Sequence, residues 1–180
     1  MHTLICGVTM TGKTTLAHYF ASLFAGMGHN VIVFDPIGTR TASGSWPESA
    51  VIFDEPTEFM EYMNNSDVKH AHVFIDEADE VFSLSQRENY WLLKKGRHFG
   101  LFIYLITQRP KMVAPTCRKQ CGKAYLFRLA MDDMREIAAD YGHSDIHKIP
   151  LDTGDCIGLL SGRSAIERFN VFNIVKITEE

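Results

Sequence analysis

The eight residues GVTMTGKT at positions 7–14 fit the spacing GxxxxGK[ST], in which each fixed position has a mechanical task on a phosphate. Gly7 and Gly12 let the backbone bend and approach an anion with no Cβ in the way. The N–H groups of Thr9, Met10, Thr11 and Gly12 can then point inward at phosphate oxygens. Lys13 adds a point charge, Thr14 offers a hydroxyl to Mg²⁺, and a helix starting here, with Thr15 in its first turn, presents its positive end to the same anion. The bland alternative is a chance match in a loop. It is weakened by the context, an apolar strand before the motif and helical spacing after it.

A second stretch supplies what a phosphate cradle lacks. VFIDE at 73–77 delivers two acids to the tip of an apolar strand. Asp76 suits Mg²⁺ held through its water shell, and Glu77 suits polarisation of an attacking water. The alternative is that both acids merely open the next helix, where acids are favoured anyway. Asp79 and Glu80 carry no such argument and are expected to be helix-surface acids. Gln108, at the tip of the strand 101–106, can reach a terminal phosphate or the lytic water if that strand lies beside the first one. Its alternative is a turn cap before Pro110.

These residues must be positioned by alternating strands and helices. Apolar runs at 2–6, 31–34, 51–53, 71–75, 101–106 and 123–129 read as strands, and helical spacing recurs over 13–27, 56–64, 88–95 and 131–141. Asp54 is expected to cap the helix that Pro56 opens. The loop IGTRTASGSWP at 37–47 is expected to leave the core, and residues 111–122 to be irregular, with Gly122 as a breaker. Residues 155–160 and 164–174, around a turn at Ser161-Gly162-Arg163, read as a β-hairpin within an appendage at about 152–176. Strand–helix alternation up to residue 141 implies a mostly parallel sheet flanked by helices on both faces.

A chain of 180 residues suits one domain spanning 1–180. No apolar run reaches the length of a membrane span and no signal-peptide pattern opens the chain, so a cytoplasmic location is expected. The four cysteines, Cys6, Cys117, Cys121 and Cys156, contain no CxxC and are expected to be reduced thiols. Net charge is −4, unevenly distributed: residues 89–131 hold nine basic residues and no acid, so this segment carries +9 and the rest −13. Such a segment can hold a polyanion, and Lys111, Arg118, Lys119 and Lys123 are the candidate nucleic-acid contacts. The alternative is a solvated helix face.

With these residues placed, the chain resembles the HerA–FtsK group of P-loop ATPases, in particular the short viral genome-packaging ATPases within it. The resemblance rests on GVTMTGKT, VIVFDPIG, HVFIDEADE, GRHFGLFIYLITQRP and LDTGDCIGLLSG, and covers most of the chain. It implies a RecA-like P-loop NTPase of the additional-strand, catalytic-glutamate type, with strand order 5-1-4-3-2 and a C-terminal hairpin. It further implies ATP and Mg²⁺ as ligands, Gln108 as a sensor of the terminal phosphate, and Arg97 as an arginine reaching a neighbouring subunit's nucleotide, unless Arg97 only belongs to the basic face. The activity implied is ATP-driven translocation of double-stranded DNA through a homo-oligomeric ring, commonly a hexamer. In a viral setting the motor would sit in the host cytoplasm or docked on capsid vertex proteins. The accessory domains of cellular relatives are expected to be absent.

Rival readings differ in what they require. DEAD at 76–79 invites a helicase, which needs a second RecA-like domain. A small P-loop nucleotide kinase relies on an arginine-bearing lid and has no use for TQRP. An ATPase for single-stranded DNA export or filamentous-phage assembly, and a nucleotide-dependent assembly scaffold with little turnover, complete the alternatives.

Overall fold

The computed structural model describes residues 1–38, 44–65, 67–164 and 166–178. The first strand, β1 (His2–Cys6), is buried along its whole length and is followed by α1 (Lys13–Gly26), β2 (Asn30–Phe34), β3 (Val51–Phe53) and α2 (Pro56–Met63). Then come β4 (Ala71–Ile75), α3 (Asp79–Phe82), α4 (Trp91–Lys95), β5 (Phe102–Thr107), α5 (Pro115–Arg118), β6 (Cys121–Leu126) and α6 (Met131–Asp140). The chain continues through β7 (Asp155–Leu160) and β8 (Ile166–Asn170) into α7 (Val171–Thr178). All eight strands join one sheet in the order β3-β2-β4-β5-β1-β6-β7-β8.

The five strands β6-β1-β5-β4-β2 are parallel neighbours and reproduce the order 5-1-4-3-2 implied by the motif resemblance. Strand β3 adds to one edge in parallel, while β7 and β8 extend the other edge antiparallel. Strands covered on both faces read as continuous apolar runs, and here the two faces divide with the period of two that a pleated strand imposes. Leu4, Cys6, Ile75 and Leu105 pack with α2, α4 and α6 through Phe59, Leu92 and Ile137. Ile5, Phe74, Ile106 and Phe127 face the opposite side and pack with α1 and the start of α7 through Leu16, Ala17 and Val171. Phe34, Phe59 and Phe74 have no exposed surface, and truncating any one to alanine would cost about 3–5 kcal/mol.

His2 fastens the far end of this sheet. Its Nδ1 accepts the Ile103 N–H at 3.1 Å, and Nε2 stands 3.0 Å from the Leu93 carbonyl, so the neutral ring with its proton on Nε2 satisfies both. Burial lowers its pKa to about 4. All four cysteines are buried free thiols, and burial pushes Cys6 and Cys117 up to about 12.

Several expectations are corrected. Gly122 lies inside β6, where Met1 covers the space a side chain would need. The stretch 111–122 holds the short helix α5, opened by Pro115. Glu55 rather than Asp54 precedes α2, with no side-chain cap. The loop 37–47 returns to the core: Trp46 is buried against Phe74 and His18, while residues 39–43 lie outside the described residues. The last strand is shorter than expected. Asn170 Oδ1 accepts the Phe172 N–H at 3.1 Å and the Gly154 carbonyl accepts the Val171 N–H at 2.9 Å, turning the chain into α7. The β-branched sequence VFNIVKIT favours a strand, and the buried contact of Val171 overrides that preference.

Candidate active site

The loop after β1 is anchored on both flanks: Gly7 N–H donates to the Thr107 carbonyl at 3.3 Å and Val8 N–H to the Arg128 carbonyl at 2.8 Å. It thus hangs between the C-terminal ends of β5 and β6. A Cβ on Gly7 would lie 2.6 Å from Phe127 Cβ, which is why the first fixed position is glycine. Gly12 has φ 108°, a conformation that favours glycine, and a Cβ there would stand 2.7 Å from Val171 Cγ1. Met10 also takes a left-handed backbone, φ 62°, and its side chain is exposed.

Thr11 is fully buried and donates its hydroxyl to the Val8 carbonyl at 2.7 Å, closing the loop on itself. Lys13 Nζ donates to the same carbonyl at 3.0 Å. Burial lowers the Lys13 pKa, and the nearby carboxylates of Asp76 and Glu77 oppose that shift. Helix α1 has Gly12 at its cap with no side-chain cap bond and no acid in its first turn. Its first N–H groups, those around Lys13, half-buried Thr14 and buried Thr15, therefore have no side-chain cap among the described residues and stand at the positive end of the helix. This arrangement fits a polyphosphate.

The acids sit where β4 ends. Asp76 is 7 % exposed, and burial, with Asp35 and Glu77 nearby, pushes its pKa up to about 7, against the pull of the Glu77 N–H and Lys13. Asp35, at the tip of neighbouring β2, is itself buried and accepts from Trp46 Nε1 at 2.7 Å and from the N–H groups of Ile37 and Gly38. Three acids against one lysine leave an excess of negative charge at the loop, which a divalent cation held by Thr14 and Asp76 would balance, so the donor set fits Mg²⁺. Among the described residues no cluster of three His, Cys, Asp or Glu side chains can hold a metal on its own.

Glu77 takes φ 49°, a conformation that costs a non-glycine residue about 1–2 kcal/mol. Its carboxylate accepts Gln108 Nε2 at 2.6 Å, while Gln108 Oε1 accepts the Thr9 hydroxyl at 2.5 Å. A continuous relay therefore runs from the phosphate loop, through the residue after β5, to the acid after β4. Asp79 is corrected from a helix-surface acid: it accepts the Thr107 hydroxyl at 3.0 Å and braces the segment that carries Gln108. Asp35 and Thr9 are the groups whose contacts the sequence hid. Asp35 did carry a signal, an acid at the tip of a buried apolar strand.

Arg97 lies elsewhere. It is exposed, in a turn before β5, and β5 is six residues long, so about 20 Å of strand separates Arg97 from Gln108 at the opposite end. It does not meet the other site residues within this chain.

The basic segment is also rearranged by folding. Lys111 Nζ is 3.3 Å from Asp133, Lys123 Nζ is 3.4 Å from Glu167, and Arg118 donates to Glu136 at 2.5 Å. Acids of α6 and β8 thus lie against the acid-free stretch, and the division of charge along the chain is not a division in space. Arg118 is withdrawn as a nucleic-acid contact: it is 4 % exposed, and it also donates to the Pro110 and Val113 carbonyls. Lys119 remains exposed.

Comparison with known proteins gives a consistent fold. The model of the zonular occludens toxin (Zot) family matches residues 41–149, which include Asp76, Glu77, Arg97 and Gln108 and begin after the phosphate loop. No curated protein matches the chain in sequence. Among solved structures it is similar to the genome packaging NTPase B204 of Sulfolobus turreted icosahedral virus 2, solved in complex with AMPPCP. The identity is 18 %, with 94 % of this chain and 96 % of that one covered and a TM-score of 0.73. The pCW3 conjugation coupling protein TcpA, solved with ATPγS, aligns at 14 % identity over 99 % of this chain and 65 % of that one, with a TM-score of 0.70. VirB4 of Thermoanaerobacter pseudethanolicus aligns at 10 % identity over 94 % and 88 %, with a TM-score of 0.68. These likenesses show that the chain shares the α/β fold of these NTPases.

Proposed function

The chain belongs to the zonular occludens toxin (Zot) family, and from that premise we propose that it is an ATP-hydrolysing motor that moves DNA. The observation that carries the reading is the relay from Thr9 through Gln108 to Glu77, which links the phosphate loop to an acid suited to activating water. The loop N–H groups and Lys13 hold the β and γ phosphates. Bound Mg²⁺, held by Thr14 and Asp76, would supply charge neutralisation on the phosphates. Glu77 takes the proton of the attacking water, and Gln108 holds Glu77 in place and reports whether the terminal phosphate is present. Arg97, remote from its own loop, serves the site of a neighbouring subunit in a ring.

The finer reading is packaging of a double-stranded viral genome into a preformed capsid, by a ring of single-domain subunits docked on vertex proteins. The likeness to a packaging NTPase over nearly the full length of both chains supports it. Export of single-stranded DNA is the second reading, supported by the likeness to a conjugation coupling protein that covers 99 % of this chain. No helix among the described residues is long and apolar enough to cross a membrane. Lys119, with Lys111 and Lys123 only where DNA displaces their acidic partners, forms the DNA-facing charge.

An ATPase titration with duplex DNA, single-stranded DNA and nucleoside monophosphates in parallel tests the proposal. Stimulation by duplex supports packaging, and stimulation by single strands supports export. Phosphorylated monophosphate, or turnover indifferent to every DNA, overturns the motor.

A further inference from the structure

The site described so far lies on one flank of β1. Glu77 and Gln108 follow β4 and β5, so a terminal phosphate in their reach fixes the direction of the rest of a nucleotide. Its sugar and base must extend toward the opposite flank, where β6, β7 and β8 and the start of α7 lie.

Two contacts clamp that flank onto the loop, and a third joins its two segments. Gly154 N–H donates to the Thr11 carbonyl at 3.0 Å, the Gly154 carbonyl accepts the Val171 N–H at 2.9 Å, and Val171 fills the space where Gly12 lacks a side chain. One residue on from buried Val171 stands Phe172. Its ring lies on the Cα of Gly154, where a Cβ would come 2.5 Å from Cδ2 and 2.7 Å from Cε2. Asn170 fixes the backbone beneath it, accepting the Phe172 N–H while its own amide donates to the Thr153 carbonyl and to Asp155. Phe172 is nevertheless 37 % exposed, although Val171 beside it is fully buried.

We propose that Phe172 is the platform on which the base of the bound nucleotide stacks. An aromatic face pinned at the mouth of a phosphate loop, on the flank away from the hydrolytic acids, gives the base a partner that the phosphate contacts cannot provide. Stacking is tolerant of base identity because every base has a π face, so the site takes the heterocycle of a nucleoside triphosphate, with the larger purines gaining the most contact. The inference rests on the phosphate-loop reading above, and its test separates the two.

Binding of ATP and of inorganic tripolyphosphate, each with Mg²⁺, is measured by calorimetry for the parent chain and for Phe172→Ala and Phe172→Trp. Phe172→Ala is expected to lose about tenfold or more in ATP affinity, with tripolyphosphate affinity unchanged. Phe172→Trp is expected to keep the ATP affinity and to gain a fluorescence signal, above that of Trp46 and Trp91, that ATP quenches and tripolyphosphate does not. Equal losses for both ligands in Phe172→Ala mean that the ring only braces the loop, and they overturn the proposal. Unchanged ATP affinity in Phe172→Ala does the same while leaving the phosphate loop intact. A parent chain that binds neither ligand overturns the phosphate-loop reading itself and this inference with it.

Discussion

Replacing Thr9 with valine removes one hydroxyl at nearly constant volume and tests the relay directly. The Thr9 hydroxyl donates to Gln108 Oε1 at 2.5 Å, and that bond decides which end of the Gln108 amide faces Glu77. With Oε1 held by Thr9, Nε2 donates to the Glu77 carboxylate at 2.6 Å. Without the hydroxyl, the flipped amide no longer forfeits the Thr9 bond, and only the Nε2–carboxylate bond still favours the productive orientation. A neutral hydrogen bond is worth about 0.5–1.5 kcal/mol net, so the aligned population should fall and kcat with it, by about 3- to 10-fold. Gln108→Leu, which also takes the bond from a charged group, should cost more, about 1.5–3 kcal/mol or 10- to 150-fold. The assay is steady-state ATP hydrolysis of the parent chain, Thr9→Val, Thr9→Ser and Gln108→Leu. Thr9→Val should lower kcat with little change in KM, and Thr9→Ser should recover most of the loss. The reasoning fails if Thr9→Val alters KM alone, which would make Thr9 a simple phosphate contact, or if serine is as damaging as valine.

Other perturbations probe separate parts of the scheme. Glu77→Gln should keep ATP binding and lower turnover at least about a hundredfold; turnover close to that of the parent would remove Glu77 from proton transfer. Mixing inactive Glu77→Gln with inactive Arg97→Ala should restore part of the activity if Arg97 serves a neighbour's site, and no ratio should do so if it does not. Arg118→Ala should lower the melting temperature by several degrees, because about 2 kcal/mol of buried hydrogen bonding is lost, while DNA affinity per folded molecule stays the same. Lys119→Glu should do the reverse, weakening DNA binding and flattening its salt dependence, and an unaltered salt slope would return Lys119 to an ordinary surface role. The His2 pKa is depressed in the folded chain, so the unfolded chain binds the extra proton first as pH falls, and stability should drop between about pH 6.5 and about pH 4. His18 and His72 are lowered to about 4 as well, chiefly by burial, so His2→Gln should reduce the slope of melting temperature against pH across that window without abolishing it.

What the sequence disclosed was local. GVTMTGKT and VFIDE each sit within one strand, one turn and one helix start, so their spacing carried both the elements and the residue types. The alternation of strand and helix likewise carried the parallel core, because parallel strands require crossovers. Contacts between distant segments were hidden. Thr9 and Gln108 are 99 residues apart, and their bond exists only because β5 lies beside β1. Arg118 looked like part of a basic surface because the acid that neutralises it, Glu136, lies on a helix whose packing against α5 no charge count can give. The helix α7 read as a strand because intrinsic preference is weaker than the burial of Val171.

The seating of Val171 against Gly12 also bears on how this protein is made. The loop that grips the phosphates is synthesised well before one of its walls, since Val171 lies 159 residues after Gly12. Until that side chain arrives, Gly12 faces an open gap and Thr11 lacks the N–H of Gly154. A nascent chain halted before residue 171 would therefore hold the nucleotide poorly, and competence to bind it would follow the docking of β8 and α7 rather than precede it.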